Sequence, residues 1–162
     1  MAYELSPYDT TLVMDIDYFS YTDNLLQFMD TSYDFLVPDQ VHDLTQRNTF
    51  HQRVWSMIPM VWATVFIFRK TAKAKQIFDM IKYVKQHYQY FNELYRIYAK
   101  NLRNDYVFAI ALQQLNGFVG YDTFPFALST MTDDGIAWKY QDQINWIEQQ
   151  DVHVLNKEIA NV

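Results

Sequence analysis

Half of the 162 residues are hydrophobic and 18% are aromatic, with three Gly and four Pro, a composition that argues against disorder and fits one domain with a real core. The absence of Cys removes disulfides and thiolate metal sites, while the lack of a signal-like start and of any apolar run long enough for a bilayer predicts a cytoplasmic protein without membrane contact. The net charge of −6 divides into −9 over residues 1–46, +9 over 47–103 and −6 over 104–162. Either the blocks complement one another across the fold, or the basic block faces an anionic ligand or partner. Nucleic acid is not expected, because the balance is acidic and no nucleic-acid-binding motif is present.

Residues 1–10 read as a lead-in with a turn at Ser6-Pro7. The apolar run Leu12 to Ile16 reads as a buried strand that ends in Asp15-Ile16-Asp17. Strand side chains alternate, so both carboxylates are expected on one face at its C-terminal end. Thr22-Asp23-Asn24 offers cap chemistry for a short helix carrying Leu25, Leu26, Phe28 and Met29. Asp34 to Val37, stopped by Pro38-Asp39, is a second short strand, and Gln40 to Met57 has no regular pattern.

Met60 to Phe68 is rich in β-branched and aromatic residues between Pro59 and Arg69-Lys70, which predicts a central strand. From Thr71 to Tyr98 the residues Ile77, Ile81, Val84, Tyr88, Phe91, Tyr95 and Tyr98 recur at helical spacing, giving a long amphipathic helix. Its aromatic stripe reads as core, and His87 as a surface or packing residue. A second helix begins near Asn104-Asp105, either of which would serve as a cap, and stops at Asn116-Gly117. The tail carries a turn at Thr132-Asp133-Asp134-Gly135 and strand-like runs Ile136 to Tyr140, Gln143 to Glu148 and Val152 to Leu155, a small antiparallel C-terminal extension. The fold class predicted is α/β in a single domain over residues 1–162.

Asp15 and Asp17, joined by His153 of Asp151-Val152-His153, are the candidate metal ligands. Oxygen donors suit Mg²⁺ or Mn²⁺, and one imidazole is compatible with Mn²⁺. Such a cation would bridge the carboxylates to a diphosphate and neutralise charge on a leaving group. With 15 Asp in the chain, an Asp-x-Asp is expected about once by chance, so the motif gains weight only from its company. Phosphate-binding glycine loops, the Gly-x-Ser-x-Gly elbow and His-Glu-x-x-His are all absent from the sequence.

That company is a set of segments: Asp15-Ile16-Asp17-Tyr18 after its strand, Trp62-Ala63-Thr64, the long helix, Arg103-Asn104-Asp105-Tyr106 opening the next helix, and Asp151-Val152-His153 near the end. Together they resemble glycosyltransferase-like proteins of tailed phages, relatives of the GT-A fold. The resemblance implies a partial GT-A-like mixed sheet and a metal-dependent transferase using a nucleotide-sugar donor. Asp15 and Asp17 would meet metal and diphosphate, and His153 would complete the metal shell. Asp105, with Asn104 beside it, would orient the sugar or stabilise positive charge developing at its anomeric carbon. In that family a nucleotide-binding half precedes the Asp-x-Asp, whereas fourteen residues precede Asp15 here. The expectation is therefore a domain truncated at its amino-terminal side. It would be either one part of a split transferase or a noncatalytic phage interaction or assembly module, with self-association or a partner chain covering the missing half.

Overall fold

The computed structural model describes residues 2–43, 56–131 and 151–154. In chain order the elements are a short helix α1 (Ala2–Leu5), strands β1 (Thr10–Met14) and β2 (Tyr18–Phe19), a 3₁₀ turn (Leu26–Phe28), and strands β3 (Phe35–Leu36), β4 (Val41–Asp43) and β5 (Val65–Arg69). Helices α2 (Ala72–Gln86), α3 (Tyr88–Leu94) and α4 (Asn104–Leu115) follow, then strands β6 (Leu128–Met131) and β7 (Val152–Val154).

The architecture is mixed α/β, and β5 is central as its sequence predicts. It sits between β1 and β3 in an antiparallel sheet, with Leu12 opposite Ile67 and Phe35 opposite Phe68. Alternation along β5 sends Phe66 and Phe68 to one face and Val65 and Ile67 to the other, and each pair enters a separate apolar cluster. A strand covered on both faces has no solvent side, which is why four consecutive apolar residues are buried there. On the first face Phe66 meets Phe108 of α4 at 5.1 Å between ring centroids, and Phe68 meets Phe78 of α2 at 4.9 Å. On the second face lie Tyr18, Leu25, Leu36, Trp62, Phe124 and Leu128.

Helix α4 is the innermost helix, with Tyr106 to Leu112 all buried. Its end follows the predicted stop. Gly117 takes φ +62°, Phe118 N–H donates to Gln113 O at 2.8 Å, and Gly117 N–H donates to Gln114 O at 3.3 Å, the paired bonds of a Schellman motif. Its start differs from expectation. Arg103 occupies the cap position with extended backbone and no side-chain cap bond, so neither Asn104 nor Asp105 is the N-cap.

Four further expectations are corrected. The strand predicted over Met60 to Phe68 begins at Val65, because Trp62 N–H is bound by Pro38 O and Ala63 N–H by Asp105 rather than by a neighbouring strand. The long helix is interrupted at His87, whose φ of −112° and ψ of 28° leave the helical region. Beyond α3 the stripe ends as well: Asn92 clamps both backbone groups of Ala99, Ile97 is buried, and Tyr98 turns outward at 63% exposure. Finally, β7 belongs to no separate antiparallel extension. It lies inside a second sheet ordered β2-β7-β6-β4, antiparallel to β2 and parallel to β6. The other predicted tail strands, Ile136 to Tyr140 and Gln143 to Glu148, lie outside the described residues, as does the turn at 132–135.

Candidate functional site

β1 ends at Met14, one residue short of the Asp-x-Asp. The two aspartates therefore do not share a strand face. They occupy a β-turn closed by Tyr18 N–H donating to Asp15 O at 3.0 Å, with Ile16 at its tip fully exposed. Asp15 is exposed and Asp17 half-buried. The turn reverses the chain from the edge of one sheet into β2 at the edge of the other.

Two long-range bonds tie this turn to the start of α4. Asp15 N–H donates to Thr64 O at 2.9 Å, and the preceding residue, Ala63, donates its N–H to Asp105 Oδ1 at 3.1 Å. The other carboxylate oxygen, Asp105 Oδ2, accepts from Arg103 Nη2 at 3.0 Å. With only 16% of its side chain exposed, Asp105 is a fixed negative charge at the N-terminal end of a buried helix, where the helix dipole favours an anion. Asn104, the first residue of that helix, is exposed.

His153 lies in β7, in register with Tyr18 of β2 and Thr130 of β6. The residue following Asp17 is thus directly across from His153. Its imidazole, which sequence reasoning made a metal ligand, lies outside the described side chains. Among the described residues no group of three or more His, Asp or Glu is placed to hold a metal ion. Asp15 and Asp17 lie two positions apart on one turn, and Mg²⁺ commonly takes one or two carboxylates and fills its other positions with water and phosphate oxygens.

Asp151 stands just before β7 and is almost completely buried, at 5% exposure. Its Oδ1 accepts from Ser20 Oγ at 2.8 Å and from Thr22 N and Thr22 Oγ1 at 3.2 Å each. Those bonds lock the chain leaving β2. The Asp151 charge, after burial itself, pushes the Tyr18 phenol above its ordinary pKa. Beside Asp151 opens a cavity of about 250 Å³, lined also by Asn24, Gln27, Phe126, Leu128 and Ser129.

Sequence reasoning selects His153 rather than Asp151, two residues before it. The signal for Asp151 is the pairing of an acidic residue with the hydroxyl-rich Ser20-Tyr21-Thr22, which only becomes readable once β2 and β7 are neighbours.

Nothing matches the chain in comparisons with protein-family models, with curated proteins or with solved structures.

Proposed function

We propose that this chain is a GT-A-like, metal-dependent glycosyltransferase, or one part of a split one, that takes a nucleotide-sugar donor. The observation that carries the reading is the convergence on residues 63 and 64. Asp15, through its backbone N–H, and Asp105, through its carboxylate, are ninety positions apart in the chain and bond to the consecutive residues Thr64 and Ala63. The backbone of Asp15 and the carboxylate of Asp105, which the same resemblance assigns to one site, are thereby attached to one junction, with β2 leading away toward the strand of His153.

In this reading Asp15 and Asp17 would hold Mn²⁺ or Mg²⁺, and His153 would complete the shell. A cation held there would supply neutralisation of charge on a diphosphate leaving group. Asp105 orients the sugar. Both of its oxygens are already engaged, and a carboxylate fixed in this way needs no reorganisation as charge develops. Asn104 stands exposed beside it for contact with donor or acceptor. A phage-encoded protein working in the host cytoplasm belongs to the same reading, and among the described residues no helix is long and apolar enough to cross a membrane.

A second reading, a noncatalytic interaction or assembly module built on the same scaffold, is favoured by the apolar side chains exposed at the ends of α3 and α4. Leu94, Tyr98, Phe118 and Val119 are 47%, 63%, 57% and 92% exposed, the kind of surface that self-association or a partner chain covers.

Calorimetric titration with Mn²⁺, followed by uridine and guanosine diphosphates in its presence, identifies a complete transferase. A complete transferase requires nucleotide binding that depends on the metal and is lost in Asp15→Asn. Absence of nucleotide binding with metal present would show that the isolated chain is not a complete transferase, leaving one part of a split enzyme or the interaction module.

A further inference from the structure

From the cavity beside Asp151 we infer a binding site for an uncharged polyhydroxylated ligand of monosaccharide size. At about 250 Å³ the space corresponds to about eight waters at roughly 30 Å³ each, and it falls below the roughly 300–1,000 Å³ of sites for drug-sized molecules. It suits one sugar ring and is too small for a nucleoside diphosphate.

The lining decides the chemistry. Asn24 and Gln27 carry amides that both donate and accept, Ser129 carries a hydroxyl, and Asp151 a carboxylate. Hydroxyl groups also donate and accept, so a polyol matches this set from every side. Among the described residues no Lys, Arg or His lines the cavity, and the Asp151 charge opposes an anion, so a neutral ligand is favoured over a phosphorylated one. A bare cation is disfavoured too, because three donors already converge on Asp151 Oδ1.

The walls are built in advance. The three bonds to Asp151 fix its carboxylate, and Gln27 Nε2 donates to Asn24 O at 2.6 Å, which orients that amide. Phe126 is half-buried and packs against Phe28 at 5.7 Å and Phe124 at 6.1 Å. It offers a rigid apolar wall for the C–H face of a sugar ring. Pre-organisation of this kind lowers the ordering cost of binding.

This inference stands independently of the transferase reading, because it requires neither metal nor nucleotide. The test is saturation-transfer NMR and calorimetry on the full chain, without added metal, using glucose, galactose, mannose and N-acetylglucosamine. Glucose 6-phosphate serves as the charged control. Saturable millimolar binding of at least one neutral sugar is expected, with weakening of roughly three- to tenfold in Gln27→Ala and roughly tenfold or more in Asp151→Asn. Gln27 is exposed, so its variant reports on the site even if Asp151→Asn fails to fold. The inference is overturned if no neutral sugar saturates, if Gln27→Ala binds as the parent does, or if the phosphorylated sugar binds more tightly than every neutral sugar.

Discussion

Asp105 caps a backbone group that is not in its own helix: its Oδ1 receives the N–H of Ala63 at 3.1 Å, across 42 positions of chain. This bond replaces a missing strand partner and fixes the segment to which Asp15 is also attached. Asp105→Ala leaves the half-buried Ala63 N–H without its acceptor and is expected to destabilise the fold by about 1–3 kcal/mol. Asp105→Asn keeps an acceptor oxygen and loses mainly the pair with the half-exposed Arg103, costing about 1 kcal/mol or less. Urea denaturation of both variants checks the assignment, and equal losses would contradict it.

Substitution at the Asp-x-Asp separates function from folding. Asp15 is exposed and its bond to Thr64 uses the backbone N–H, which Asn retains. Asp15→Asn is expected to change stability by no more than about 0.5 kcal/mol while removing metal-dependent nucleotide binding. Asp17→Asn should behave alike in calorimetry. Unchanged nucleotide binding in both variants would remove the metal site from the transferase reading.

Alkaline pH acts on Tyr18. Burial first, and the Asp151 charge second, hold its phenol above the ordinary value of 10.0, and burial with the Asp39 charge pushes Tyr121 up to about 12. A phenol raised in the folded state keeps its full contribution below about pH 10 and loses it as pH climbs from there toward the folded value. Stability should therefore fall above pH 10, by up to about 1.4 kcal/mol per pH unit for Tyr18. Ultraviolet titration should find Tyr18 and Tyr121 lagging, with the Tyr18 contribution absent in Tyr18→Phe. A Tyr18→Phe protein with the parent's alkaline unfolding curve would contradict this account.

Gly117 ends α4 with φ +62°, and a Cβ there would meet nothing within 4 Å. Crowding is thus absent, and only the left-handed backbone opposes a side chain. Gly117→Ala is expected to cost about 1–2 kcal/mol, and Gly117→Asn less, since Asn tolerates that region better. Thermal unfolding of the two variants gives the comparison. A stability gain in Gly117→Ala would show that the Schellman ending does not persist in solution.

The sequence by itself determined the elements whose signals are local. The apolar run through Val65 to Phe68 is that of a strand with no solvent face, and the buried stretch Tyr106 to Leu112 with Gly117 behind it specified both the body and the end of α4. Ile77, Ile81 and Val84 likewise announced the buried face of α2. Tertiary structure decided what depends on a distant partner. The end of β1 before Asp15 and the start of β5 after Thr64 rest on bonds to residues far along the chain, and the insertion of β7 between β2 and β6 rests on pairings with both. The same holds for the role of Asp151, whose three donors sit some 130 positions away. Periodicity records which side chains avoid water, whereas a backbone N–H or a carboxylate carries no mark of its partner until the fold brings that partner within hydrogen-bond reach.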